Sequence, residues 1–141
     1  MEQNVTLRID KHTVRVPAGT TVLDAARSVG IDIPTLCHID LKELCIRSAP
    51  ASCRVCVVEI EGFKKLMPAC VTKCTEGMTV RTSTVRVLNA RRTVVELILS
   101  DHANECLVCP KSGSCDLQSL AVRVNVRRIP YAGGAFSAQK H

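Results

Sequence analysis

Cysteine is the residue type that most constrains this chain, because nine cysteines occur among 141 residues at close, patterned spacings. The segment Met1–Asp10 carries charges and lacks the apolar stretch of a secretory leader, and no apolar run is long enough to span a bilayer. We therefore expect a cytoplasmic protein without a membrane span, in a compartment where thiols stay reduced. Closely spaced cysteines in such a protein indicate metal binding rather than disulfides.

Composition and charge restrict the function classes further. A hydrophobic share of 46% is enough for a packed core, although aromatic residues are scarce. The formal charge of +6 would suit a nucleic-acid partner, but the arginines are scattered and lack the neighbouring aromatics that base stacking needs. Thiolates bound to metal would lower this charge to about +3. We expect no nucleic-acid partner.

The first part of the chain has the pattern of a small α+β domain. Residues 5–9 and 14–16 alternate apolar and polar side chains, which predicts a two-stranded hairpin. Thr20 or Thr21 is placed to cap a helix over 22–29, and Gly30 to end it. Further short strands are predicted at 55–60, 66–67 and 78–82, after a long cysteine-bearing loop. This order predicts a β-grasp sheet crossed by one helix.

From about Thr84 the pattern becomes helical. The predicted first helix has an apolar stripe, with Arg91 and Arg92 off that stripe; the stripe consists of Val87, Ala90, Val94, Leu97 and Ile98. A short second helix is predicted at 116–122. We thus expect an α+β domain at 1–83, a small helical domain at 84–128 and a tail at 129–141.

The first constellation of cysteines has the spacing Cys-x15-Cys-x2-Cys-x13-Cys and consists of Cys37, Cys53, Cys56 and Cys70. A [2Fe–2S] cluster needs four thiolates around two irons, and loop cysteines followed by a later cysteine are typical of plant-type ferredoxins. Cys45 precedes Cys53 in the same loop and is an alternative to Cys37. Cys74 is expected to be a buried free thiol.

The second constellation has the spacing His-x3-Cys-x2-Cys-x5-Cys and consists of His102, Cys106, Cys109 and Cys115. A [4Fe–4S] cube needs one ligand per iron, and a compact loop after a helix can wrap it. Zinc is the rival interpretation, since four cysteines, or three cysteines and a histidine, also suit a tetrahedral ion.

The residues that flank both constellations resemble one family. Residues 33–37, 53–60 and 68–72, followed by the His102 motif, are similar to the N-terminal iron–sulfur region shared by the large peripheral subunit of respiratory complex I, [FeFe]-hydrogenases and NAD-linked formate dehydrogenases. The resemblance implies that the domain at 1–83 is a β-grasp, ferredoxin-like domain with one [2Fe–2S] cluster on the first constellation, and that the domain at 84–128 holds one [4Fe–4S] cluster on the second. The family's first cysteine gap is shorter, so Leu41–Ala51, which contains Cys45, is an insertion.

The resemblance also implies a function. It predicts an iron–sulfur subunit that relays single electrons between a flavin/NAD(P)-binding subunit and another redox subunit, as in an electron-bifurcating transhydrogenase, hydrogenase or formate dehydrogenase. Neither Gly-x-Gly-x-x-Gly nor a Walker loop occurs, so we expect no nucleotide site and no catalysis by this chain alone. A free-standing ferredoxin-like carrier is the alternative function.

Overall fold

The structure is a computed structural model that describes residues 3–38 and 50–131. The chain divides between Leu88 and Asn89 into two compact units. We call Met1–Leu88 the sheet unit and Asn89–His141 the helical unit. No helix in these described ranges has the length and apolar character needed to cross a membrane.

The sheet unit is built on one mixed five-stranded sheet. Its elements in chain order are β1 (Asn4–Ile9), β2 (His12–Pro17), α1 (Val22–Ser28), β3 (Val57–Ile60), β4 (Met67–Pro68) and β5 (Thr79–Arg81). The strand order across the sheet is β2-β1-β5-β3-β4. β1 pairs antiparallel with β2 and parallel with β5, whereas β3 is antiparallel to both β4 and β5. The predicted β-grasp arrangement is confirmed.

The core of this unit lies between the sheet and α1. Alternate residues of the hairpin are buried because successive side chains of a strand point to opposite faces, and they pack with one side of the helix. Thr21 caps α1 by accepting the Asp24 amide at 3.1 Å. The main buried side chains are Leu7, Ile9, Val14, Val16, Val22, Leu23, Ala25 and Ala26. After α1 the chain stays anchored at the buried Ile33, four residues before Cys37.

Two helices follow the sheet. α2 covers Val85–Ser100, so the boundary between the units falls within it, and α3 covers Asp116–Arg123. Both predicted helices are confirmed. Residues 129–131 have no regular secondary structure, and the rest of the predicted tail lies outside the described residues.

The predicted apolar stripe of α2 is confirmed at Val87 and is wrong at Leu97, and Arg91, which was placed off the stripe, is buried. The fully buried residues are Val87, Arg91 and Val95, whereas Leu97 is 48% exposed. Residues four apart share one helix face, so Arg91 lies on the buried face between two valines. Its aliphatic stem allows this, because an arginine buries its methylene groups as an apolar side chain does.

Candidate metal centres

The strand pair β3–β4 places two of the predicted ligands side by side. Val57 pairs with Pro68, and the Ala69 amide donates to the Cys56 carbonyl at 3.0 Å. The antiparallel pairing therefore continues to Cys56 and Ala69, which brings the neighbouring Cys70 close to Cys56, and the two thiols interact directly. Both residues belong to the hydrophobic core, with 2% and 6% of their surface exposed.

Cys37 and Cys53 form a second interacting pair. Both are half-buried, and their side chains contact each other. Backbone amides of Ser52 and Cys53 donate to the Cys37 sulfur. Amides directed at sulfur are the contacts by which proteins tune iron–sulfur clusters.

The loop before β3 links the two pairs. The Ala51 amide donates to Cys70 Sγ at 3.2 Å, and the Val55 amide lies 3.5 Å from Cys53 Sγ. Ala51 and Arg54 have φ values of 68° and 60°, in the left-handed region that residues with a side chain seldom adopt. Such strain is concentrated at functional sites, and here it accompanies amides that face sulfur.

The thiols of Cys37, Cys53 and Cys56 differ in pKa. Burial raises the pKa of Cys56 to about 11, and the Cys70 thiol beside it acts in the same direction. Burial also raises the pKa of Cys53, against the opposing effect of the amides of Val55 and Cys37. At Cys37 burial acts to raise the pKa, but the hydrogen bonds from Cys53 and Ser52 outweigh it and the pKa is lowered. Burial disfavours the negatively charged thiolates, so a metal bound here would have to stabilise that charge.

This arrangement of thiols fits a two-iron centre. A [2Fe–2S] cluster takes two protein ligands on each iron, and four cysteines in two linked pairs meet that need. The Cys-x2-Cys motif is divided between the pairs, since Cys53 lies with Cys37 and Cys56 with Cys70. Sequence reasoning missed that division. Cys45, the alternative ligand, lies outside the described residues.

Cys74 lies apart from these pairs. It is 4% exposed and free, as expected, and its amide donates to the Thr20 carbonyl at 2.9 Å. Burial raises the pKa of its thiol, and the Asp24 carboxylate raises it further. Cys74 therefore behaves as a buried apolar side chain.

His102 begins the second constellation at the end of α2. Its amide donates to the Leu99 carbonyl at 3.2 Å, and the Asn104 side chain donates to the same carbonyl at 2.8 Å. The Asn104 amide donates to His102 Nδ1 at 3.1 Å, and Asn104 has a φ of 55°. Asn104 therefore orients the His102 ring through its Nδ1 atom.

The three cysteines of the second constellation lie on successive turns. The Cys109 amide donates to the Cys106 carbonyl at 3.4 Å, and the Ser112 amide to the Cys109 carbonyl at 3.0 Å. Cys115 is the N-cap of α3, and its sulfur makes no capping hydrogen bond. Cys106 is exposed, and Cys109 and Cys115 are half-buried. These three sulfurs are accessible ligand atoms on one loop, and a bound metal would draw them together.

Within residues 3–38 and 50–131, no three side chains of His, Cys, Asp or Glu are arranged to hold a single metal ion. The first constellation is brought together as two pairs and not as a tetrahedral site. The second constellation is brought into one loop, at the junction of α2 and α3. Its donor set of three soft thiolates and one imidazole matches iron–sulfur chemistry, in which His is known to replace Cys.

Two family models match this chain. A 2Fe-2S iron-sulfur cluster binding domain matches residues 2–85, and the NADH-ubiquinone oxidoreductase-G iron-sulfur binding region matches residues 91–130. The resemblance that the flanking residues indicated is confirmed, and so is the fold class: an α+β, ferredoxin-like domain followed by a small helical iron–sulfur region. The predicted cofactors, one [2Fe–2S] cluster and one [4Fe–4S] cluster, are confirmed as well.

Known proteins similar to this chain are longer redox proteins. The NADP-reducing hydrogenase subunit HndD of Solidesulfovibrio fructosivorans is 56% identical over 133 residues, which are 94% of this chain and 23% of that subunit. The NADPH-Fe(3+) oxidoreductase subunit alpha of Geobacter sulfurreducens (strain DL-1 / KN400) is 40% identical over 127 residues, 90% of this chain and 14% of that subunit. This chain therefore spans less than a quarter of either relative.

A solved structure extends the likeness to three dimensions. The crystal structure of an NAD+-reducing [NiFe]-hydrogenase in the H2-reduced state has a TM-score of 0.80 and 30% sequence identity, covering 97% of this chain and 55% of the hydrogenase chain. The relatives and the two iron–sulfur regions support an electron-transfer role in a complex. Because the first family model covers more than half of the residues, this chain belongs to the family of 2Fe-2S iron-sulfur cluster binding domains.

Proposed function

We propose that this chain relays single electrons between a flavin/NAD(P)-binding subunit and another redox subunit of a multi-subunit oxidoreductase in the cytoplasm. The complex would be an electron-bifurcating transhydrogenase, hydrogenase or formate dehydrogenase, and the chain itself would not catalyse the reaction. The observation that carries the proposal is that four cysteine thiols form two contacting pairs, Cys37 with Cys53 and Cys56 with Cys70. The Ala51 amide of the loop between them donates to Cys70 Sγ. The domain limits at 1–83, 84–128 and 129–141 belong to the same proposal.

We assign the ligands as the sequence predicts them. Cys37, Cys53, Cys56 and Cys70 would hold the [2Fe–2S] cluster. The [4Fe–4S] cluster would be held by a second set, made up of His102, Cys106, Cys109 and Cys115. When bound, each cluster accepts and returns one electron at a time.

The surrounding residues determine how readily each site takes an electron. The amides of Ser52, Cys53 and Ala51 point at sulfur and stabilise negative charge at the first site, which favours the reduced state. Burial of Cys56 and Cys70 excludes water from one side of that site. At the second site a neutral imidazole in place of a thiolate makes the centre less negative, which raises its reduction potential.

Anaerobic purification with metal analysis and EPR tests the proposal. We expect about six irons per chain, with matching acid-labile sulfide, and two distinct EPR signals on reduction. Cys53→Ser should remove the first signal alone and Cys115→Ser the second alone. His102→Cys should keep the second signal and lower its potential, since it restores a thiolate. A colourless protein with stoichiometric zinc would overturn the proposal.

Native size-exclusion chromatography tests the place in a complex. A relay subunit should elute from extract with larger flavin-containing chains, and flavin should co-purify with it. Elution at the size of the free chain, with both clusters present, would instead support the free-standing carrier. Cys74→Ala serves as the control, because this buried thiol lies outside both ligand sets and should leave elution and both signals unchanged.

A further inference from the structure

Two of the proposed [4Fe–4S] ligands are attached to the ends of two different helices. The His102 amide donates to the carbonyl of Leu99 in the last turn of α2. Cys115 is the N-cap of α3, and both the amide and the hydroxyl of Ser119 donate to its carbonyl, at 3.0 Å and 3.1 Å. The spacing between these ligands therefore depends on how α2 and α3 lie against each other.

A side-chain hydrogen bond joins the two helices away from these ends. Arg92 Nε on α2 donates to the carbonyl of Val124, the C-cap residue of α3, at 3.1 Å in a partly buried position. The last carbonyls of a helix have no partner within the helix, and a cation near them also meets the negative end of the helix dipole. Arg92 therefore gives the Val124 carbonyl a hydrogen-bond donor and also places a positive charge at the negative end of the α3 dipole.

The position of this bond along each helix matches the distance to the ligands. From Arg92 to the end of α2 at Ser100, and from Val124 back to the start of α3 at Asp116, each helix rises about 12 Å, at about 1.5 Å per residue. The bond therefore joins the two helices at points that are about equally far, along each helix, from the end next to His102 and from the end next to Cys115.

We propose that Arg92 is a positioning residue for the [4Fe–4S] ligands: its hydrogen bond to Val124 fixes the register of α2 and α3, and so the separation of His102 and Cys115. This inference rests on the proposed function, because it assumes that these two residues are ligands. Arg92 does not contact iron. It acts through the two helices, and its loss should affect the second cluster and leave the first one intact.

Arg92→Met in the complete, cluster-loaded chain tests the proposal, because methionine keeps the apolar stem and removes the donor. We expect about tenfold faster loss of iron from the second cluster to a chelator, the effect of losing a contact that orients a ligand. We also expect a changed EPR line shape for that cluster, with the [2Fe–2S] signal unaltered. Arg92→Lys should recover part of the retention, since an ammonium group can donate to the same carbonyl.

Two further variants separate register from general stability. Arg128→Met removes an exposed arginine of the same unit and should behave as wild type. Leu120→Ala opens a cavity at a buried residue of α3 and keeps the Arg92 bond, so it should lower the melting temperature and leave the EPR line shape unchanged. If both variants alter the line shape as Arg92→Met does, the effect is general destabilisation and the proposal is wrong.

Amide hydrogen exchange gives a readout that does not depend on the EPR signal. In Arg92→Met the Val124 amide, which bonds to the Leu120 carbonyl at 2.9 Å, should exchange faster, while Val95 in α2 keeps its protection. Unchanged exchange at Val124 together with unchanged iron retention would overturn the positioning role. If the wild-type chain lacks the second EPR signal, the proposed function itself fails. These results are distinguishable.

Discussion

The two sets of proposed ligands lie in opposite surroundings. Cys56 and Cys70 are part of the hydrophobic core of the sheet unit. By contrast, every residue from Asp101 to Val108 is exposed, and Cys106 is among them. Buried apolar side chains surround the first site, so we expect the sheet unit to shape it without metal, whereas the loop of the helical unit buries little. We infer that the second site is shaped by its metal, as small metal-dependent domains are.

The hydrogen bonds of the sheet unit and of the loop after α2 show the same contrast. In the sheet unit the Thr82 amide and hydroxyl bond to the Asp10 carboxylate, and the Thr6 amide bonds to Glu76, across 72 and 70 residues of sequence. The side-chain bonds described in the loop after α2 join residues two to five apart, such as Asn104 with His102 and Gly113 with Gln118. Hydrogen bonds between residues far apart in the sequence stabilise the tertiary structure, whereas bonds between near neighbours stabilise only a turn.

Removal of iron should therefore produce the largest difference between the units. After chelation we expect residues 101–115 and α3 to lose nearly all protection from amide hydrogen exchange, while β1, β2 and α1 keep most of theirs. Mass spectrometry of peptic fragments, before and after chelation, measures both units in one sample. Equal loss of protection in the two units would show that the sheet unit also needs its cluster to fold.

A core substitution in the sheet unit should produce the next largest effect. Leu23 is fully buried between helix and sheet, so Leu23→Ala should lower the free energy of unfolding of this unit by about 3 kcal/mol. Leu107→Ala is the matched control, because Leu107 is fully exposed in the second loop and its removal should change stability by less than about 0.5 kcal/mol. Urea unfolding followed by far-UV circular dichroism measures both. A large cost at Leu107 would mean that the exposed loop contributes to stability.

Much of the sheet unit could be predicted from the sequence, because its signals are local. The alternation at 5–9 and 14–16 has the period of a half-buried strand, and Thr21 before an apolar helix is a standard cap. The division of the Cys-x2-Cys motif between two thiol pairs could not be predicted. It follows from the pairing of Val57 with Pro68, a contact between distant segments that cysteine spacing does not reveal.

The helix α2 was predicted correctly, but its buried face was predicted only in part, for a different physical reason. The helix has apolar residues on several faces, so periodicity alone did not decide which face is buried. The buried stripe of Val87, Arg91 and Val95 includes a charged residue, which a hydrophobicity count places in solvent. The bond from Arg92 to Val124 was equally hidden, because its acceptor is a backbone carbonyl and leaves no signal in the sequence.

Asp10 offers a test of the long-range closure of the sheet unit. Its carboxylate accepts the Thr82 amide at 2.8 Å and the Thr82 hydroxyl at 2.6 Å, and its φ is 53°. Asp10→Ala should cost about 2 kcal/mol, because it leaves the donors of a buried threonine without an acceptor and puts alanine in a left-handed conformation. Asp10→Asn keeps an acceptor and tolerates that conformation, so it should cost clearly less. Equal costs in urea unfolding would contradict this account.

The smallest expected effect concerns Cys74, the buried thiol that binds no metal in this account. Cys74→Ser should cost about 1 kcal/mol more than Cys74→Ala, because a hydroxyl is harder to bury than a thiol. Iron content should be unchanged in both variants, and a loss of iron would make Cys74 a ligand.

The pH dependence of stability gives the same residue a second test. Burial and the Asp24 carboxylate raise the pKa of Cys74 above its ordinary value of 9.0, so the folded chain holds this proton more tightly than the unfolded chain. The resulting stabilisation is fully present below pH 9 and is lost as the pH rises through the raised pKa. Urea unfolding of the wild type and of Cys74→Ala between pH 7 and 10 isolates the effect, since every other group is common to both. The stability difference between them should shrink above about pH 9; a constant difference would show that the folded environment leaves the pKa of this thiol unshifted.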